Sequence, residues 1–219
     1  MSCHLFYNNG VRKRNPPILR GTLPKEWVDC LPDSFVGVEI SHTPEQEITI
    51  EDTMMNSCVL RNVDFSKVHC LKASFQNVLF ENCLFVNLDF SKGYFGRCEF
   101  HNCNLLGAKF IEASLFDVLF ERCNLSYANF AEADFRYFEA SESNLKESFF
   151  EETKFKNVFF AMSDLSKTEF FKTPLKDIDL SSDVIEGIHI DSFGLQGAII
   201  SPAQAILLAS YFGLVIKNG

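Results

Sequence analysis

The sequence predicts an all-β solenoid of short extended segments and tight turns, closed by a short C-terminal α-helix. Three observations carry this. Every residue number divisible by five from Ile50 to Ile200 is apolar, through thirty-one consecutive positions without an insertion or deletion. The residue two before each is mostly small or β-branched: positions 53, 58, 63, 68, 73, 78 and 83 read Thr, Cys, Val, Val, Ala, Val and Cys. Near the end, Ser201 precedes Pro202 and an apolar run that closes at Gly213, the N-cap, first-turn and C-terminal signals of a helix about ten residues long.

A period of five matches neither the 3.6 of a helix nor the 2.0 of a simple strand, so it belongs to a supersecondary repeat. Within each five, strand alternation points the large residue and the residue two before it to one side, and a tight turn re-aims the next segment. Of the 24 Phe, fifteen fall in this one phase. They are read as core, each contributing about 1.5–3 kcal/mol of burial, with ring stacking adding a smaller increment.

Val63-Asp64-Phe65, Cys103-Asn104-Leu105, Cys123-Asn124-Leu125, Ala128-Asn129-Phe130, Ala133-Asp134-Phe135, Ser143-Asn144-Leu145 and Ser163-Asp164-Leu165 resemble the motif of the pentapeptide-repeat family: a small residue, Asp or Asn, Leu or Phe, then two free positions. The resemblance implies a right-handed quadrilateral β-helix with four pentads, and so twenty residues, per coil. Residues 50–200 would form this rod, 1–49 an irregular arm and cap, and 201–219 a capping and dimerisation helix followed by a short strand at Leu214-Val215-Ile216.

Five of the seven prolines, Pro16, Pro17, Pro24, Pro32 and Pro44, lie in the arm and argue for irregular or extended chain. Its apolar patch, Trp27-Val28, Cys30-Leu31 and Phe35-Val36, is expected to fold over the open first coil, whose edge needs a cover. Arg12, Lys13, Arg14, Arg20 and Lys25 stand there with no acidic residue among the first twenty-five, while the whole chain carries −9. The arm is therefore read as a solvated tail or as a segment that docks on an acidic surface, its own or a neighbour's.

Several classes are set aside. Residues 1–10 show no secretory signal, and the apolar stretch from Ala203 to Ile216 is too short and interrupted to span a bilayer; a cytoplasmic protein without membrane contact is expected. Cys58, Cys83, Cys98, Cys103 and Cys123 hold the small inward position and Cys70 the large one, so six of the eight cysteines are expected to be buried. Cys98, His101 and Cys103 fail as a metal cluster because His101 falls at an outward offset. No phosphate-binding loop or nucleophile elbow occurs, and a phenylalanine-filled tube leaves no cleft for a small substrate. No enzyme, cofactor, metal or direct nucleic-acid contact is expected.

Stacking every twenty residues makes surface columns legible. Asn62, Asn82 and Asn102 share one, suited to an amide ladder. Lys72, Lys92, Glu112, Glu132, Glu152 and Lys172 share another, in which three successive carboxylates repel. With Asp134, Glu139, Glu142, Glu147 and Glu151 they make an acidic belt, read as a solvated face or as an imitation of DNA phosphates that engages basic grooves. The resemblance extends to the quinolone-resistance (Qnr) branch of the family, which implies a type II topoisomerase (DNA gyrase or topoisomerase IV) as partner. It also implies end-to-end homodimers through the C-terminal helix, here Ile206, Leu207, Tyr211, Phe212, Leu214 and Ile216. A scaffold for an unrelated partner is the alternative.

Some residues break the pattern. Phe138 stands where a small residue belongs and Ala140 where a large one does, a volume-conserving swap within one face. Leu88, Asp183 and Phe193 also depart, and Asp183 facing inward needs a partner or a local distortion. Leu79, Leu119 and Phe159 recur forty apart on one face, with Phe116, Phe149 and Phe171 at other outward offsets.

Overall fold

The computed structural model describes residues 14–19, 23–24, 34–191, 193–211 and 213–217. From Ser34 onward each coil pairs the next in parallel with an offset of twenty residues, while Leu23–Pro24 pairs Val38–Glu39 at fifteen. On one side Ser34 pairs Met54, then Ser74, Tyr94, Ser114, Asp134 and Lys154 follow in turn. On the next, Glu39, Val59, Leu79, Glu99, Leu119, Glu139 and Phe159 do the same. The other two sides are held mostly by single bridges, such as Leu84 to Asn104 and Asp89 to Lys109. The result is the four-sided β-helix that the family resemblance implies.

The ladder starts earlier than the boundary read at residue 50. Strands Ser34–Val36 and Val38–Ile40 already pair in register with Met54–Asn56 and Val59–Arg61. Phe35 and Ile40 fall in the phase of five and are 3% and 0% exposed, so Phe35 belongs to the core of the first coil and not to a cover over it. Trp27, Val28, Cys30 and Leu31 lie outside the described residues.

The corner residue of each five, two after the large one, has positive φ at every corner from Asp52 to Asp177 except Lys67. Only one of these corners is glycine, Gly107. The left-handed conformation costs most residues roughly 1–2 kcal/mol, so stacking of coils must offset a penalty repeated along the rod.

Inside, the large residues pile vertically. Phe80, Phe100 and Phe120 stack with ring centroids 4.5 and 4.6 Å apart, and Phe90, Phe110, Phe130, Phe150 and Phe170 continue on another side at 4.8–5.1 Å. Ala140 interrupts the first stack, and Phe138 fills the gap by contacting Phe120 at 5.7 Å and Phe160 at 6.3 Å. The swap read from the sequence is therefore a local repacking in which both residues are buried.

The small inward positions do more than save space. Their donors tie each coil to the one before: Cys123 Sγ to Phe100 O (3.2 Å), Ser143 Oγ to Phe120 O (3.3 Å), Thr153 Oγ1 to Phe130 O (2.9 Å) and Thr168 Oγ1 to Leu145 O (2.9 Å). A second ladder runs the other way, with Cys123 N–H donating to Ser143 Oγ, Ser143 N–H to Ser163 Oγ and Ser163 N–H to Asp183 Oδ1. Asp183 thus finds one partner for its buried carboxyl, a backbone donor in place of an apolar contact. Phe193 is 78% exposed because the chain turns there, with Asp191 Oδ1 accepting from the N–H groups of Phe193 and Gly194.

The helix α1, Pro202–Tyr211, closes the rod. Ser201 and Gln204 form a reciprocal cap: Gln204 N–H donates to Ser201 Oγ and Ser201 N–H to Gln204 Oε1. The buried Gln204 amide also donates to Leu180 O (2.7 Å) and Asp183 O (2.8 Å), pinning the helix to the last coil. At the other end Gly213 takes φ +73° and Leu214 N–H returns to Ala209 O, the 6→1 bond of a glycine C-cap. Leu214-Val215-Ile216 is not the strand predicted. Its apolar composition suits a ladder, but α1 occupies the end of the rod and no edge is paired with it.

Candidate interaction surfaces

The outward residues form columns because coils stack in register. In the glutamate column, Lys92 Nζ lies 3.5 Å from Glu112 Oε1 and Lys172 Nζ 2.5 Å from Glu152 Oε1, so lysines close both ends and Glu132 stands between. The carboxylate of Glu152 raises the Lys172 ammonium above its ordinary value. All three glutamates occupy left-handed corners.

The eight predicted belt residues are not one strip. Glu112, Glu132 and Glu152 share a corner, with Glu151 beside it; Glu147 lies at the adjacent corner and Glu142 at the one diagonally across. Asp134 and Glu139 stand on the two intervening sides, and Asp134 is paired with Arg136 at 2.7 Å. The charge encircles a coil more than it runs along the rod. The asparagine column is also mixed: Asn82 donates to Asn62 at 3.3 Å, while Asn102 accepts from Arg122 at 3.0 Å.

A denser charge network lies on the side carrying Glu99. His101 is sandwiched between Glu99 Oε2 (Nε2, 3.0 Å) and Glu121 Oε2 (Nδ1, 2.6 Å), while Arg14 donates to Glu99 Oε1 at 2.8 Å. Hydrogen bonding to Glu99 holds the His101 pKa above its ordinary value, outweighing burial, and Glu121 adds to it. Burial alone would raise the Glu99 carboxyl, but His101 and Arg14 together bring it below its ordinary value. As predicted, His101 points out while Cys98 and Cys103 are buried, and burial pushes the Cys98 thiol up to about 12. Among the described residues no group of three or more His, Cys, Asp and Glu is placed to hold a metal ion.

The predicted outward apolar residues behave differently from one another. Leu79, Leu119 and Phe159 do share a side, but Glu99 and Glu139 separate them in register. Phe149 and Phe171 come together in an open groove of about 510 Å³ that also carries Glu151, Glu169 and His189. At the C-terminal end Ile206, Tyr211, Leu214 and Ile216 are exposed, as are Val215 and Phe193. Leu207 instead packs partly against the core. Gly187 N–H donates to Tyr211 Oη at 2.6 Å. Phe212 lies outside the described residues.

The sequence of residues 73–150 matches the family profile described as Pentapeptide repeat region, in the same phase of five that the coils obey. Residues 73–150 are thus similar to the pentapeptide-repeat family. No curated protein matches this chain in sequence. Among solved structures it is similar to trypsin-treated QnrB1, a plasmid-mediated fluoroquinolone resistance protein, at 22% identity over 81% of this chain and 100% of that one, TM-score 0.40. A pentapeptide repeat protein of the Arabidopsis thaliana thylakoid lumen is 25% identical over 45% of this chain and 66% of that one, TM-score 0.36. HetL, a pentapeptide repeat protein involved in heterocyst differentiation regulation in the cyanobacterium Nostoc, is 15% identical over 77% and 90%, TM-score 0.28. No helix among the described residues is long and apolar enough to cross a membrane.

Proposed function

We propose that this pentapeptide-repeat rod is a non-enzymatic binding protein that engages a type II topoisomerase, DNA gyrase or topoisomerase IV, in the cytoplasm by imitating duplex DNA. The supporting observation is the column Glu112, Glu132, Glu152: one corner, three consecutive coils. At a coil rise of about 4.8 Å the carboxylates form a short row of negative charge on a narrow rod, of the kind a basic DNA-binding groove accepts. Such a row repels itself, and each glutamate holds a left-handed corner that Asn or Gly would fill at lower cost. Binding of this kind is steered by charge and weakened by salt.

A second reading is a scaffold for an unrelated partner. It is favoured by the lysines that close both ends of the column and by the encircling arrangement of the other acidic groups. Supercoiling and quinolone-poisoning assays with purified gyrase separate the two. Topoisomerase binding predicts that micromolar protein alters both activities, that 0.3 M salt removes the effect, and that Glu112→Lys with Glu132→Lys abolishes it. No effect at micromolar concentration leaves the scaffold.

A further inference from the structure

Residues 14–19 lie along one corner of the rod, and two of their backbone donors reach it. Asn15 N–H donates to Asp117 Oδ1 at 3.0 Å and Ile18 N–H to Asn77 Oδ1 at 3.2 Å. Asn77 and Asp117 occupy the same corner two coils apart, which at the strand spacing is about 9.6 Å. Between Asn15 and Ile18 stand Pro16 and Pro17. They carry no N–H, fix φ, and hold the residue before each out of the α region, which favours polyproline II geometry for this stretch. That helix has three residues per turn and a rise of about 3.1 Å, hence about 9.3 Å per turn. One turn of the segment therefore matches two coils of the rod, and the two N–H groups the prolines leave fall on the same side.

The side chains add specificity. Asn15 Nδ2 donates to Asp117 Oδ2 at 2.9 Å, so the segment takes both carboxylate oxygens. Asn77 is oriented by its own Nδ2, which donates to Asn56 Oδ1 at 3.3 Å and turns Oδ1 toward Ile18. Arg14 reaches Glu99 on the neighbouring side, yet its Nε and Nη1 are buried with no hydrogen-bond partner among the described residues. The resident segment is thus held along a matched pitch by hydrogen bonds to Asp117, Asn77 and Glu99, contacts that another segment of the same chemistry can reproduce.

We propose that the corner bearing Asn77 and Asp117 is a recognition site for extended proline-containing segments of the pattern basic residue, Asn, Pro, Pro, aliphatic, and that a partner protein's segment of this chemistry displaces residues 14–19 from it. The site is separate from the glutamate column and stands whether or not a topoisomerase is the partner. The test uses the full-length chain and a fluorescent peptide with the sequence of residues 12–19, read by anisotropy at low salt. A variant whose own segment is disabled, Arg14→Ala with Asn15→Ala and Pro17→Gly, binds the peptide at least tenfold more tightly than the wild type. Adding Asp117→Ala or Asn77→Ala lowers that affinity at least fivefold with an unchanged circular dichroism spectrum, and a peptide with both prolines replaced by glycine binds at least fivefold more weakly. Equal affinity for the disabled variant and the wild type, or binding that survives both corner substitutions, overturns the proposal.

Discussion

Asp183 shows how a single inward residue sets a pH dependence. It is 7% exposed; Oδ1 takes the Ser163 N–H, and Oδ2 has no hydrogen-bond partner among the described residues. Burial pushes the carboxyl from an ordinary 3.8 up to about 7, with Asp179 adding to the rise and the Ser163 N–H opposing it. The folded chain therefore holds this proton more tightly than the unfolded chain does. Its contribution to stability is full below pH 4, drains as pH rises toward 7, and is gone above, a linkage on the order of 3–4 kcal/mol. Asp183→Asn keeps the acceptor for Ser163 and removes the charge. We expect its melting midpoint to exceed that of the wild type at pH 8 and the gap to narrow toward pH 4; a gap independent of pH would show that Asp183 is not the titrating group.

At the scale of the element, the unit is the vertical stack. Phe138→Ala leaves a void between Phe120 and Phe160 beside Ala140, and should cost about 3–5 kcal/mol in urea unfolding. Adding Ala140→Phe rebuilds the continuous stack of large residues and should recover stability to within about 1.5 kcal/mol of the wild type. The stacks were legible because the requirement is local and repeated: every fifth residue meets the same neighbours one coil away, so one sequence phase encodes all of them. Glycine at Gly213 and serine at Ser201 announced the helix for the same reason, each satisfying a backbone demand within four residues. Gln204 was not legible as an anchor, since its amide acts on Leu180 and Asp183, more than twenty residues back. Leu214-Val215-Ile216 misled because a strand needs an edge as well as apolar side chains, and composition reports only the second.

For the whole molecule, the rod has two unlike ends. The first described coil begins at Ser34, and the last is covered by α1, which presents Ile206 and Tyr211 to solvent, with Leu214 exposed just after its C-cap. An end-to-end homodimer through this end is the expected assembly, because exposed apolar side chains gain from mutual burial. Light scattering should report twice the chain mass for the wild type and a monomer for Ile206→Asp with Leu214→Asp, at unchanged helix content; a wild-type monomer at 50 μM would dispose of the pairing. Acidic columns could be counted from residue numbers alone, since the period places them. Docking of residues 14–19 could not, because it depends on two pitches agreeing, that of a polyproline segment and that of the coil, and neither is visible until both are drawn in space.

The thiols of Cys83, Cys103 and Cys123 sit one above another within this tube, each donating to a carbonyl of the preceding coil and each at most 3% exposed. Burial raises the Cys103 thiol well above the range in which it would ionise near neutral pH. An alkylating dye can reach such sulfurs only when coils part, so the pace at which this column is labelled is a clock for the unzipping of the rod, with a hand at each of three neighbouring rungs.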